Sequence, residues 1–183
     1  MIAAALEMLQ ERPADEIGLR EVARRIGVSS AAPYRHFDSR ESLISAAAVH
    51  GFGKLERRLQ QTIERHGADA LAELGQAYVG FALENPNLFG LMLRGDRDGS
   101  NDPVRAAGQA AFDLLATTVA RLTGAPCRED AVGAWALVHG LSILMAERQL
   151  APDLLEAERL GALVRSVTEI YVAGLSARRR ERG

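Results

Sequence analysis

The stretch GVSSAAPYRHF, residues 27–37, combines small residues with a proline, a tyrosine, an arginine and a histidine. A core helix carries more aliphatic bulk, and an active site carries a nucleophile with its base or a ligand cluster; this stretch has neither. Its flanks supply the meaning. Upstream, Leu19, Val22, Ala23 and Ile26 recur at helical spacing, with Arg20, Glu21, Arg24 and Arg25 facing the other way, which predicts a helix over 19–26. Gly18 stands at its cap position and Gly27 just past its end, as the C′ residue. Val28 is then expected as a buried turn residue and Ser29 as the cap of a third, very short helix. Pro33 falls at N4 of that helix, where its missing N–H costs a bond. Downstream, Asp38 or Ser39 opens a fourth helix with Leu43, Ala47 and Phe52 inward, and Asp38 and Glu41 have capping-box spacing. Ahead of these, Ile2, Ala5, Leu6 and Leu9 line one face of a first helix that Pro13 ends.

Two short helices joined at IGVS have the helix–turn–helix pattern that places a second helix in the DNA major groove. A groove about 12 Å wide explains why alanine and serine replace bulk. Between residues 18 and 40 five arginines (20, 24, 25, 35 and 40) face Glu21 and Asp38, a local excess of +3 in a chain of net charge -2. That excess suits phosphate contact. The pattern by itself also fits any small helical bundle with glycine turns.

The rest of the composition sets bounds. The 183 residues are 48% hydrophobic, 25% charged and 5% aromatic, which favours an all-α chain with one large core or a small domain joined to a larger one. Cys127 is the only cysteine, so neither an internal disulfide nor a cysteine-rich metal site is expected. No apolar run approaches the ~18 residues of a membrane span. MIAAALEML lacks the basic start of a signal peptide. A cytoplasmic protein without metal or cofactor is the expectation.

The run IAAALEMLQERPADEIGLREVARRIGVSSAAPYRHFDSRESLISA resembles the DNA-binding domain of the TetR family of bacterial repressors. LREVARRIGVS, YRHF and SRESL carry the resemblance, with Ser29, Tyr34, His36, Phe37, Arg40 and Glu41 matching in order. Ala31 stands where glycine is usual and Pro33 where leucine is usual, both on or beside the reading surface. Helix one begins at Met1, so the leading basic residues common in the family, and a minor-groove arm, are not expected. The resemblance implies an N-terminal three-helix helix–turn–helix domain over 1–50 and a larger helical effector-binding and dimerisation domain over 51–183. It implies a double-stranded DNA operator, palindromic for a homodimer, and repression released by a small apolar or amphipathic effector. The DNA-binding set is Ser29, Ser30, Ala31, Tyr34, Arg35, His36 and Arg40. Tyr34 is expected on a phosphate. His36 either donates to a phosphate or caps and packs. Arg40 is either a phosphate contact or a solvated surface arginine. Ser30 and Arg35 are the candidates for base edges, Arg35 by a bidentate fork to guanine or, alternatively, on phosphate. Phe37 is expected in the core against Ile26 and Leu43.

Helices are predicted beyond residue 70, with a break at Pro86, a short apolar helix in LFGLMLRG and a loop in DRDGSNDP. Longer helices follow over 104–122 and 130–150, then a final stripe of Leu160, Leu163, Val164, Val167, Ile170, Tyr171 and Gly174. ARRRERG reads as a solvated, frayed end. Trp135, His139 and Gly140 resemble a subgroup pattern, Trp-x-x-x-His-Gly. Trp135 and His139 share a helix face. They are either the wall of an effector pocket or core. The candidate pocket is Phe81, Phe89, Met92, Phe112, Leu115, Trp135, His139 and Met145, apolar walls with one polar contact. The candidate dimer face is Gly133, Ala136 and Gly140 with Leu160, Leu163, Val164, Val167, Ile170 and Tyr171. Two rival readings stand beside the regulator: an all-helical interaction adaptor without DNA binding, and a small helical enzyme. No HExxH, serine triad, P-loop or dinucleotide motif supports the enzyme.

Overall fold

The computed structural model describes residues 1–67, 70–94 and 102–182. The described residues form helices and no strands: α1 (Ile2–Glu11), α2 (Leu19–Arg25), α3 (Arg40–His66), α4 (Leu71–Glu84), α5 (Pro86–Arg94), α6 (Asp102–Thr123), α7 (Arg128–Ala146) and α8 (Ala157–Arg182). Single 3-10 turns lie at Ala14–Glu16, Ala32–Arg35 and Pro152–Leu155. Two compact units result. One is Met1–Lys54 with Asn85–Gln109; the other is Leu55–Glu84 with the chain from Ala110 onward. The DNA-binding module read over 1–50 therefore acquires α5 as an additional part of its unit.

In the first unit Ala5, Met8, Leu9, Ile17, Val22, Leu43 and Ala47 are buried together. α5 is fixed to α1 by the Asn87 amide, which donates to the Leu9 carbonyl at 2.9 Å. Its cationic end reaches back through Arg94 to Asp15 at 3.1 Å. Gly51 lies on Met92, and a Cβ there would fall 2.8 Å from the Met92 sulfur. Phe89 and Met92 are thus core of this unit.

α2 stops as its sequence predicts. Gly27 takes φ 71°, the Val28 N–H returns to the Ala23 carbonyl at 3.0 Å, and the Gly27 N–H returns to Arg24 at 3.2 Å. This is the Schellman arrangement, which uses carbonyls the helix end would leave unpaired. Four local expectations are corrected. Val28 is exposed rather than buried, at 41%. Ser29 caps nothing, because Ala31 holds the N-cap position and the third helix shrinks to the turn Ala32–Arg35. Pro33 thereby moves into the first two positions of that turn, where its nitrogen needs no partner, and it is buried. Phe37 is only half-buried and Ile26 is 40% exposed, so of the expected trio only Leu43 is fully core. The capping box also shifts. Ser39 and Ser42 exchange reciprocal backbone-to-hydroxyl bonds, both 3.2 Å, at the start of α3.

The second unit is built where α4 meets α7 and α8. A Cβ on Gly75 would fall 2.5 Å from Cγ2 of Thr168 and 3.2 Å from Cγ1 of Val138, so α4 crosses both helices at backbone distance. Val79, Val138, Leu141, Met145 and Val164 form one buried cluster, with Leu160, Leu163 and Val167 packed on it. Leu71, Val119, Ala131, Ala134 and Leu175 form another, with Phe112, Leu115 and Tyr171 packed on it. α6 begins at Asp102 and so takes in the last two residues of the expected DRDGSNDP loop, whose first part lies outside the described residues. α7 ends at Ala146, four residues before the predicted 150. Arg148 adopts φ 53° and the Gln149 N–H returns to the Leu144 carbonyl at 2.8 Å, the same stop as at Gly27 made without glycine. α8 carries its helix through the basic end instead of fraying. The Arg178 guanidinium meets buried Asp130 at 2.9 Å, and Arg179 donates to the Leu122 carbonyl at 2.9 Å.

Candidate nucleic-acid interface and second-unit cluster

The glycine stop of α2 and the buried Pro33 aim the intervening residues outward. Ser29, Ser30, Ala31, Tyr34, Arg35 and His36 are all exposed, Tyr34 at 52%. The segment presents hydroxyls, methyls, a phenol, an imidazole and a guanidinium with little side-chain bulk. Such a surface can enter a groove and offer donors to phosphates and base edges. Val28 adds an apolar contact of the kind a thymine methyl accepts.

The structure redistributes the basic residues around it. Arg20, Arg24 and Arg35 are exposed. Arg25 is turned to α1, where it donates to both Glu11 oxygens at 2.6 and 3.1 Å. That bond, with the charge of Arg25, holds the Glu11 carboxyl below its usual range. Arg12 pairs with Glu21. Arg40 is half-buried. Its Nε donates to the Ile17 carbonyl at 2.8 Å, its Nη2 donates to the Ala14 carbonyl, and its Nη1 lies 3.7 Å from Glu41. Of five arginines counted as one basic excess, Arg25 and Arg40 are turned to protein groups, and Arg24, though exposed, lies 3.7 Å from Glu21. Sequence distance hid this, because Glu11 lies outside the counted window and backbone carbonyls carry no sequence signal.

The second unit brings together part of the expected pocket. Trp135 and His139 lie one turn apart on α7, with ring centroids 5.2 Å apart. Phe112 meets the Trp135 edge at 6.0 Å. The Tyr78 hydroxyl of α4 is 2.9 Å from His139 Nδ1. Burial pushes the Tyr78 phenol up to about 12, against a smaller downward pull from a hydrogen bond with Trp135. Burial also lowers the His139 imidazole from 6.5. A protonated phenol and a neutral imidazole are therefore the forms at pH 7. With its proton on Nε2, His139 accepts the Tyr78 hydroxyl hydrogen at Nδ1. The Trp-x-x-x-His spacing thus has a physical reason, since one helical turn sets both rings beside one phenol. Sequence reasoning missed that phenol, because no spacing links Tyr78 to residues 61 positions away. Leu115 packs beside Phe112, while Phe81 and Met145 are buried in the unit. Phe89 and Met92 belong to the other unit.

The expected dimer face divides in two. Val164 is buried, and Leu160, Leu163 and Val167 pack on α4 and α7 within the chain. Gly133 serves the same internal crossing, because a Cβ there would fall 2.3 Å from the Tyr171 hydroxyl. That hydroxyl donates to the Asp130 carbonyl at 2.9 Å. Burial, and then the neighbouring Asp130 charge, raise its pKa. Facing outward instead are Ala136, Val132 at 42%, Trp135 at 42%, Ile143 at 36% and Leu144 at 38% on α7, and Ile170 at 69% on α8. Gly140 is half-exposed, with nothing within 4 Å of where its Cβ would stand.

Among the described residues no group of histidine, cysteine or acidic side chains is arranged to hold a metal ion, and no helix is long and apolar enough to cross a membrane. Comparison with known proteins agrees with the geometry. Residues 1–47 match the family of bacterial regulatory proteins, tetR family, and residues 71–170 match a tetracyclin repressor-like C-terminal domain. The chain is 25% identical over 167 residues to YobS, an HTH-type transcriptional regulator of Bacillus subtilis (strain 168), covering 86% of this chain and 84% of that one. A solved structure from Rhodococcus sp. RHA1, of a protein with unknown function, superposes with a TM-score of 0.82 at 32% identity, covering 96% of this chain and 93% of that one. PfmR, a TetR family regulator from Thermus thermophilus, shares the fold at a TM-score of 0.66 and 18% identity, over 94% of this chain and 96% of that one. The two matched domains and the regulator among its relatives identify the chain as a member of the TetR family, DNA-binding regulators of transcription rather than enzymes.

Proposed function

We propose that the protein is a homodimeric repressor that reads a palindromic operator through residues 28–36 and is released by a small amphipathic effector held in its second unit. The observation that carries the DNA contacts is the joint exposure of Ser29, Ser30, Ala31, Tyr34, Arg35 and His36 after the Gly27 stop. Tyr34 and His36 serve phosphates, Ser30 and Arg35 serve base edges. Dimerisation uses the outward faces of α7 and α8. Val132, Ile143, Leu144 and Ile170 are apolar and exposed in the single chain, and Gly140 leaves room for close approach. The effector reading is supported by the half-covered rings of Phe112 and Trp135 beside the Tyr78–His139 hydrogen bond, apolar walls with one polar pair.

Footprinting on DNA selected from a random pool by the full-length protein tests the reading surface. Arg35→Ala should cost about 1–3 kcal/mol of affinity and relax preference at one base position. Unchanged protection and unchanged preference would remove Arg35 from the interface. Thermal shift with amphipathic metabolites, repeated on Trp135→Ala and Phe112→Ala, tests the effector site; a ligand that binds both variants as it binds the wild type lies elsewhere.

A further inference from the structure

We infer that Arg40 is a positioning residue for DNA recognition, a clasp that closes the helix–turn–helix segment at its two ends. The segment that reads DNA runs from the N-cap of α2 at Gly18, through the Gly27 stop and the turn Ala32–Arg35, to the Ser39 hydroxyl that opens α3. Arg40 is the first residue after it. Its Nε donates to Ile17, the last residue before it, at 2.8 Å and across 23 positions of chain. Its Nη2 donates to Ala14, in the 3-10 turn that leads into α2. One planar guanidinium therefore holds the entry of α2 against the start of α3. Everything that touches DNA hangs between those two points.

The same geometry argues against an alternative use. Two of the three guanidinium nitrogens are committed to carbonyls, and the third faces Glu41 at 3.7 Å. A phosphate would have to draw the group off both carbonyls and compete with a carboxylate. The apolar core of the unit is supplied by other side chains, with Ile17, Val22, Leu43 and Ala47 buried. What the clasp adds is angle and register. A reading surface of about nine residues tolerates little error in either, because base-edge contacts need placement within about 0.5 Å. Lysine cannot replace it, since a single ammonium does not reproduce a planar fork directed at two acceptors.

The inference rests on the DNA-binding reading, and the experiment separates the two. Full-length wild type, Arg40→Ala and Arg40→Lys are titrated on a selected site and on unrelated duplex DNA across a salt series, with helicity and Tm recorded for each. Both variants should fold. Both should lose roughly ten-fold or more on the selected site, keep wild-type affinity for unrelated DNA, and keep the wild-type salt slope. If Arg40→Ala does not fold, Arg40→Lys carries the same comparison. Rescue by lysine together with a slope smaller by about 0.9 in the alanine variant would make Arg40 a phosphate contact and overturn the inference. Wild-type discrimination in both variants would overturn it as well, leaving a bond that serves stability alone. Failure of the wild type to enrich any DNA is a different result, which overturns the DNA-binding reading itself.

Discussion

The two units leave different materials uncovered. In the first, the open surface around residues 29–36 is made of hydroxyls, methyls, a phenol, an imidazole and a guanidinium. In the second, the outward faces of α7 and α8 show Val132, Trp135, Ile143, Leu144 and Ile170. The first surface is at ease in water and gains from a hydrated polyanion. The second costs about 25 cal/mol for each Å² of apolar area it keeps wet, and gains by being covered. The difference teaches that exposure alone does not mark a site. What is exposed tells which kind of partner it awaits.

The contrast breaks first at Ile170. In a lone chain an arginine there would project into solvent; in a dimer closed on α7 and α8 it would be buried without a partner, at about 3–5 kcal/mol. Ile170→Arg should therefore keep wild-type helicity while the dimer dissociation constant rises more than a hundred-fold by sedimentation. A dimer unaffected by Ile170→Arg, or a wild type that is monomeric at micromolar concentration, would show that something else covers this face. Val167, an equally regular member of the sequence stripe, is the poorer choice. It is partly buried and packs inside the chain, so an arginine there would disturb the unit's own packing as well as its assembly.

A smaller effect is expected at the hydrogen bond beneath Trp135. Tyr78→Phe removes the hydroxyl from His139 and should cost about 1–2 kcal/mol of stability in urea at pH 7.5. The imidazole adds a pH dependence whose sign is fixed. Its folded pKa is depressed, so as pH falls below 6.5 the unfolded chain takes up a proton that the folded chain refuses. Stability should fall between pH 7.5 and 5, and His139→Gln should flatten that part of the profile. A profile as steep in His139→Gln as in the wild type would assign the proton to another group.

The smallest effects come from the two helix stops, which share one hydrogen-bond pattern and differ in residue. Gly27→Ala meets no atom within 4 Å, so its only cost is the left-handed backbone, about 1–2 kcal/mol. Arg148→Gly relieves that same strain and should raise Tm by about 2–4 °C, an effect reduced by glycine's greater freedom when unfolded. Calorimetry showing both variants shifted in the same direction would mean that the stops are not equivalent.

Much of this architecture was legible because it is local. Gly27 after a short amphipathic helix, Pro13 and Pro86 at helix ends, and apolar stripes at helical spacing are signals carried within a few positions. The exposed turn after Gly27 was legible in composition but not in geometry. Pro33 fits the first two positions of a turn better than the fourth of a helix, and Ala31 stands at the N-cap position with no side-chain cap, leaving Ser29 outside it. The α8 stripe showed that residues 160–171 are apolar along one side, but not whether α4 and α7 or a second chain would cover each of them. Arg40 and Tyr78 escaped for a common reason. Their partners are a carbonyl 23 positions away and an imidazole 61 positions away, and neither distance has a period.

Gly75 carries a consequence for how this chain can change over time. Its hydrogen faces Thr168 Cγ2 and Val138 Cγ1 at distances that leave no room for a methyl group. Exchange of Thr168 for serine would delete that Cγ2 and retain a hydroxyl for the bond it makes to the Val164 carbonyl. An alanine at 75 is thus a closed step while threonine stands at 168 and becomes an easier one after serine replaces it. The two positions are bound to an order of events: the wall must be thinned before the floor can be raised.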